Sequence, residues 1–291
     1  MGKRASEDTL AEVVKSQTQR CLDVYSGDSR RVGEDYNLEV ATSEGAYGRR
    51  QIFELIQNGA DALIDAPGRI AVVLTDECLY VANQGAPLNA GGIHALMSAR
   101  QDTKRGEEIG RFGLGFKSVV AISDKPQIFS AEVSMGFDRA WSAEMIREIV
   151  PGRQHYPLLR LAQPLDAGEH RKGDEVLDEL LDWATTVVRL PLKTPSASVD
   201  LLSSDMRSFP SQFLLFIPHV QQLALDDRVA ATHRNLRVSS DRDSVITLED
   251  GATTERWVVR RIRHTPSPEA QKDAGELAGR DSVEIQWAVP M

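Results

Sequence analysis

The segment from Gln51 to Asp65, QIFELIQNGADALID, constrains the fold of this chain more than any other. At about 100° per residue in a helix, Glu54, Asn58 and Asp61 fall within roughly 60° of one another. The opposite side is apolar or small and is formed by Ile52, Ile56, Gly59 and Leu63. The pattern predicts an amphipathic helix. Taken alone, its polar side is equally typical of an ordinary solvated helix face.

A glycine-rich segment, GRFGLGFKS from Gly110 to Ser118, follows about fifty residues later and leads into a stretch predicted to be helical, Phe116 to Ile122. Glycines let the backbone approach an anion closely, and free N–H groups at a helix start favour negative charge. The large apolar residues between the glycines argue against a simple exposed loop. A helix carrying a carboxylate and an amide, followed by a phosphate-binding loop, is what Mg-ATP hydrolysis needs.

These two motifs, in this order, resemble those of the GHKL ATPases, the superfamily of gyrase B subunits, MutL, heat-shock chaperones and sensor histidine kinases. The segments Glu54 to Leu63 and Ile109 to Ser118 look most similar to the heat-shock-chaperone and sacsin-type branch. The resemblance covers about Tyr47 to Leu190. It implies an α+β fold of the Bergerat type: a two-layer α/β sandwich with helices on one face of a mixed, mostly antiparallel sheet.

The resemblance also implies roles for individual residues. Glu54 would be the catalytic general base, and Asn58 would be the Mg²⁺ ligand, since this hard ion prefers oxygen. Asp61 would lie at the adenine side of the site, although a helix-surface carboxylate is an equal alternative. Lys104 and Lys117 would be phosphate cations, and Lys104 could equally belong to the surface of a polar lid, Ser98 to Gly110. The cofactor site implied in this way consists of Asn58, Asp61, Asn83, Gly85, Lys104, Gly110, Phe112, Gly113, Leu114, Gly115, Phe116, Lys117 and Thr185.

The chain departs from the family at the adenine loop. Family members carry Asp-x-Gly-x-Gly after the hairpin, whereas this chain has Asn83-Gln84-Gly85-Ala86-Pro87. An asparagine oxygen can still accept a hydrogen bond from the amino group of adenine, so the base preference is left open. Thr185 matches a family threonine near the adenine; a strand threonine without such a role is the alternative.

Composition narrows the choice of partners. The chain has 34 Lys and Arg against 43 Asp and Glu, a net charge of −9, which opposes direct binding of nucleic acid. Between Ser98 and Ser118, five cations stand against three acids, an excess that suits a small polyanion, although a solvated charged loop is an equal alternative. No run of eighteen apolar residues or signal sequence is found, which predicts a cytoplasmic protein without a membrane span. The two cysteines, Cys21 and Cys78, are predicted to be buried thiols.

The order of predicted elements suggests two regions. A helix over Glu7 to Tyr25 precedes a turn-rich segment, Ser26 to Glu44, and a hairpin joins Arg69 to Thr75 with Cys78 to Asn83. After a strand at Thr185 to Leu192, the segment Lys193 to Ala197 is interpreted as a linker. Residues 1–194 are therefore predicted to form the ATP-binding domain, and residues 195–291 a β-rich extension that begins a further domain of a longer protein.

The last predicted strand places Val283, Ile285, Trp287 and Val289 in strict alternation, which is typical of a half-buried strand.

Three functions remain in competition. The first is an ATP-hydrolysing switch in a chaperone-like, stress or defence protein, and the second is an ATP sensor without turnover. The third, a histidine kinase domain, is disfavoured because Glu54 precedes Asn58 by four residues and no histidine lies upstream of Glu54. The resemblance also implies homodimerisation and a catalytic cation from downstream domains, so hydrolysis by these 291 residues alone is expected to be slow.

Overall fold

The computed structural model describes residues 2–44, 50–98, 114–217, 219–240, 245–269 and 282–291. The α-helices are α1 (Gly2–Gly27), α2 (Arg30–Glu44), α3 (Gln51–Asp61), α4 (Ala90–Met97), α5 (Leu114–Lys117), α6 (Arg139–Ile149), α7 (Ala167–Lys172), α8 (Glu175–Leu181) and α9 (Pro195–Arg207). Two 3₁₀ helices span Ser118–Ala121 and Ser211–Phe216. The strands are β1 (Gly68–Leu74), β2 (Cys78–Asn83), β3 (Gln127–Ser130), β4 (Ser134–Gly136), β5 (Gln163–Pro164), β6 (Thr186–Pro191), β7 (Val220–Asp227), β8 (Thr232–Ser240), β9 (Val245–Asp250), β10 (Thr253–His264) and β11 (Val283–Pro290).

These strands form one sheet in the order β11-β10-β9-β8-β7-β1-β2-β6-β3-β4-β5. The pair β1 and β7 is parallel, and the other neighbouring pairs are antiparallel. The predicted mixed, mostly antiparallel sheet with helices is therefore confirmed at the level of an α+β fold. The predicted hairpin of β1 and β2 is also confirmed.

Helices cover the centre of the sheet on both faces, so the expectation of helices on one face only is wrong. Ile70 and Val72 of β1 belong to the main core, which also contains the apolar side of α3. Val73, which points the other way along the strand, packs in a second core with Leu177 and Leu180 of α8. The physical reason is visible in β1 itself, where apolar residues occupy both alternating positions and both need cover.

Helix α3 has the predicted two-sided character. Its buried residues include Ile52, Leu55 and Ile56, while Glu54 and Asn58 are only half-buried. A Cβ atom added to Gly59 would lie 3.0 Å from the side chain of Ile70. Gly59 therefore allows α3 to pack close to the sheet.

Helix α2 occupies most of the segment that was predicted to be turn-rich, so that prediction is wrong. Its buried positions include Val32, Asp35 and Glu39, which are 0%, 8% and 3% exposed. Two of the three are acidic residues, and the helical spacing of the buried positions is therefore hidden from a hydrophobicity pattern. The carboxylate of Glu39 instead accepts hydrogen bonds from the backbone N–H groups of Leu158 (2.8 Å) and Leu159 (2.7 Å).

The sheet and the core continue across the predicted domain boundary. Helix α9 begins at Pro195, inside the predicted linker, because proline is well suited to the first position of a helix. The rings of Phe209 and Phe213 lie 4.8 and 5.2 Å from the ring of Phe53 on α3. Together with the parallel pairing of β7 and β1, these contacts join the first part of the extension to the core. The division at residue 194 stays a prediction.

Strand β11 is formed as predicted, but the strand is not half-buried in the predicted manner. Ile285, Trp287 and Val289 are 44%, 43% and 53% exposed, whereas Ala288, on the opposite face, packs against the main core. Alternation identified the two faces of the strand correctly. Which face is covered depends on the neighbouring elements, and those cannot be identified from the strand alone.

Two smaller predictions can be compared with the structure. Cys21 and Cys78 are both buried free thiols, as predicted. Among the described helices, none combines the length and the apolar character needed to cross a lipid bilayer. The cytoplasmic location inferred from the sequence stays a prediction.

Candidate functional site

Glu54 and Asn58 project from neighbouring turns of α3, four residues apart. Both side chains are half-buried and thus remain accessible from one side. Burial raises the pKa of Glu54, and the positive charge of Arg50 offsets part of this effect. A carboxylate with a raised pKa is better matched to proton abstraction near neutral pH than an ordinary surface glutamate.

Asp61 and the turn after β2 meet at the carboxyl end of α3. Asp61 is 7% exposed, so the alternative of a helix-surface carboxylate does not describe it. The backbone N–H of Ala86 donates to the carbonyl of Ala62 at 2.8 Å, which fastens the turn to the helix end. Gly85 has φ of +100°, and a Cβ added there would lie 2.1 Å from that carbonyl oxygen. Only glycine fits this position without displacing the turn.

Replacing Gly85 with alanine is expected to lower the free energy of unfolding by about 1–3 kcal/mol or more, because a strained φ is combined with a backbone clash. Urea unfolding followed by circular dichroism measures the change. Gly173→Ala is the matched control, since an added Cβ there meets nothing within 4 Å and the φ of Gly173 is negative. Equal stability of the two variants would contradict the assigned role of Gly85.

Asn83 lies beneath α3 at the end of β2 and is 6% exposed. A Cβ on Gly59 would lie 3.3 Å from the Cβ of Asn83, so the helix and this strand end are in close contact. The side-chain amide of Asn83 donates to the carbonyl of Gln84 at 2.7 Å. The donor side of this amide is thus engaged locally, and the side-chain oxygen has no hydrogen-bond partner among the described residues.

The strand register identifies a threonine that the sequence interpretation missed. Thr185 does lie beside Asn83, because its N–H donates to the carbonyl of Asn83 at 2.9 Å. However, Thr186 is the direct cross-strand partner of Asn83 and therefore shares its face of the sheet, the face covered by α3. The hydroxyl of Thr186 is 2.9 Å from that of Ser130. Which residues of two neighbouring strands share a face of the sheet can be predicted from a sequence only when the strand register is known.

Helix α5 lies in the second half of the glycine-rich segment and packs against α3. The helix contains Leu114 and Gly115 together with two buried residues, Phe116 and Lys117. The Phe116 ring belongs to the main core, with its centroid 6.2 Å from that of Phe137. Of the predicted site residues, Lys104, Gly110, Phe112 and Gly113 lie outside the described residues, as does the predicted lid apart from Ser98.

Lys117 is only 3% exposed and lies in an ionic environment. Burial and the charge of Arg160 lower the pKa of Lys117, whereas the carboxylates of Glu39 and Asp35 raise it. The net effect is a lowered pKa of Lys117, so the two carboxylates offset the burial of its charge only in part. Its predicted role as a phosphate cation stays a prediction.

A buried ion pair that the sequence interpretation did not single out borders this region. The guanidinium of Arg160 lies 2.9 Å from the carboxylate of Asp35, with the two side chains 16% and 9% exposed. Arg160 also donates to the carbonyl of Met97 at the end of α4, and the hydroxyl of Tyr25 donates to Asp35 at 2.8 Å. The pair thus ties α1, α2 and α4 to the segment before β5. A local sequence pattern does not predict this ion pair, because its partners are separated by 125 residues.

In the described part of the chain, no group of three or more His, Cys, Asp or Glu side chains is arranged to hold a metal ion. A Mg²⁺ ion held by one protein oxygen, with water and phosphate oxygens completing the shell, does not require such a group.

Comparison with known proteins adds no assignment: no family model matches this chain, and no curated protein matches it.

Proposed function

We propose that this chain is a Mg²⁺-dependent ATP-binding and ATP-hydrolysing module of the GHKL type, whose nucleotide-binding part is a Bergerat sandwich with helix α8 added on the second face of the sheet. The observation that carries the proposal is that predicted site residues lie along α3 and at its carboxyl end. Glu54 and Asn58 are accessible on the helix, while Asn83 and Gly85 lie at the adjoining strand end. Helix α5, which forms the second half of the glycine-rich segment, packs on the same helix.

The chemistry of the side chains fits such a ligand. Asn58 offers an amide oxygen, which is a suitable hard ligand for Mg²⁺. Asn83 offers a side-chain oxygen that can accept a hydrogen bond from an exocyclic amine, while its side-chain amide donates to the carbonyl of Gln84. The close packing around Gly59 and Gly85 holds these groups on rigid elements. When bound, Mg-ATP would supply the phosphoanhydride bond to be hydrolysed.

Each of the site residues would then have a separate role. Asn58 would hold the metal, Asn83 and the buried Asp61 would define the base end, and Glu54 would accept a proton from the attacking water. A conformational switch driven by ATP, in chaperone-like, stress or defence work, is the function that the resemblance to the sacsin-type branch suggests.

Asn58→Ala is expected to weaken Mg-ATP binding about ten- to hundred-fold, which corresponds to losing one contact to a charged group. The measurement is a fluorescence titration with an ATP analogue carrying a methylanthraniloyl group, with and without Mg²⁺. Asn37→Ala is the matched control, because Asn37 is exposed on α2. The metal role is refuted if Asn58→Ala binds as tightly as the unmodified chain. The whole proposal fails if the unmodified chain binds no ATP.

A further inference from the structure

A second concave surface lies away from the strand end that carries Asn83 and Thr186. It is a cleft of about 390 Å³ between α2, α6, the 3₁₀ helix Ser118–Ala121 and the segment around His155. One wall contains Lys193, which follows β6 at the end opposite Thr186. At about 3.3 Å per residue, β6 separates the cleft from the Asn83 end by roughly 20 Å. The cleft is therefore separate from the Asn83 end of the candidate nucleotide site.

The charges in the cleft do not balance. Arg139 forms an ion pair with Asp124 at 2.6 Å, and the buried Glu39 already accepts two backbone N–H groups. Lys193 donates to the carbonyl of Val120 at 2.9 Å, and the guanidinium of Arg147 lies 5.4 Å from the ring centroid of Tyr156. Within the described ranges, neither of these last two cations has a carboxylate partner. Two positive charges from separate elements thus line one cleft of a chain with net charge −9.

A flat aromatic surface accompanies the charges. The rings of Tyr36 and His155 are stacked, with centroids 5.1 Å apart and planes inclined by 8°. Both residues line the cleft, together with aliphatic side chains such as Val40 and Val120. The volume equals that of roughly a dozen water molecules, at about 30 Å³ each, and exceeds what a bare inorganic anion fills. Most of the side chains that line the cleft are polar or charged, so a ligand with an anionic group fits the cleft better than a purely apolar one.

We propose that this cleft binds a small organic phosphate monoester, with the phosphate between Arg147 and Lys193 and a planar organic body against Tyr36 and His155. A phosphate monoester carries about −1.5 to −2 charges near neutral pH, which matches the two unpaired cations. The Val120 carbonyl that holds Lys193 belongs to the 3₁₀ helix that continues α5. The ligand would therefore contact the element that follows the glycine-rich segment. The proposal does not depend on ATP binding.

Calorimetric titration of the 291-residue chain with phenyl phosphate tests the proposal, in the presence of saturating Mg-ATP and in its absence. We expect phenyl phosphate to bind in both conditions and more tightly than inorganic phosphate. Arg147→Gln and Lys193→Gln should each weaken binding at least about tenfold, since each removes a contact to a charged group. His155→Ala should weaken the binding of phenyl phosphate but not the binding of inorganic phosphate. Lys172→Gln, a surface change on α7, should have no effect.

Other results would overturn the proposal. Equal affinities for phenyl phosphate and inorganic phosphate would indicate an adventitious ion only. The phosphate would instead belong to the nucleotide site if phenyl phosphate no longer binds to Asn58→Ala, or no longer binds in saturating Mg-ATP, while Lys193→Gln binds it as tightly as the unmodified chain. Chemical labelling of the unmodified chain provides a second readout without any variant. Phenyl phosphate should slow acetylation of Lys193 and leave Lys172 unchanged, and equal rates at Lys193 with and without the ligand would contradict the site.

Discussion

Glu54→Gln is expected to lower the rate of ATP hydrolysis about 10²- to 10⁴-fold, the usual contribution of a general base. Glutamine keeps the size and polarity of the half-buried side chain but cannot accept the proton. Binding of ATP should change little, because the base acts mainly in the transition state. Single-turnover hydrolysis of radiolabelled ATP measures the rate, since slow turnover is expected from these residues alone. A separate titration measures the affinity.

The control for this experiment is Glu144→Gln, which removes an exposed carboxylate on α6. Comparable rates for the Glu54 variant and the control would exclude the assigned base. If the unmodified chain binds ATP without any turnover above background, the ATP sensor would replace the ATPase as the function. The experiment thus separates the two functions that the sequence leaves in competition.

The pH dependence follows from the same side chain. Burial raises the pKa of Glu54 above that of an ordinary glutamate, and the base must be deprotonated to act. The hydrolysis rate should therefore fall as the pH decreases through this raised pKa, while a surface glutamate would stay active to lower pH. Glu54→Gln should lose this acidic limb, because no titrating base remains.

Arg160→Gln is expected to lower the free energy of unfolding by about 3–5 kcal/mol, the typical loss when one partner of a buried ion pair is removed. The change leaves the carboxylate of Asp35 buried without its guanidinium partner, while the hydroxyl of Tyr25 still donates to it. It also removes the donor to the carbonyl of Met97. Urea denaturation followed by circular dichroism gives the free energy for each variant.

Arg30→Gln is the comparison for this prediction. Arg30 pairs with Asp28 at 3.0 Å, but its side chain is 84% exposed, so its loss should leave the stability nearly unchanged. A second variant, Asp35→Asn with Arg160→Gln, removes both charges and should recover part of the lost stability. If Arg160→Gln unfolds at the same urea concentration as Arg30→Gln, the pair does not stabilise the fold as proposed.

Local patterns were sufficient for elements whose burial depends on one apolar side. The two sides of α3 follow from the spacing of Ile52 and Ile56 against Glu54 and Asn58, and the structure has this arrangement. The hairpin of β1 and β2 follows from two short apolar strands separated by a polar turn. In both cases the information lies within one turn or one strand pair, so neighbours in sequence are also neighbours in space.

The rest depended on contacts between distant parts of the chain. Helix α2 could not be recognised because Asp35 and Glu39 look like surface residues until Arg160, Leu158 and Leu159 meet them, 119 to 125 residues away. Buried polar groups need hydrogen-bond partners of this kind. A sequence does not show which donors, distant along the chain, will lie next to them in the fold.

The same reasoning applies to the candidate sites. The sequence by itself determined that Glu54 and Asn58 lie on the side of α3 opposite its apolar residues, because helical periodicity fixes their common side. Only the tertiary structure placed Thr186 beside Asn83, and only the tertiary structure brought Arg147 and Lys193 to one cleft. Strand register and the position of Arg147 and Lys193 in one cleft are set by packing between distant parts of the chain. The free energy that stabilises these arrangements therefore comes from contacts among residues far apart in sequence.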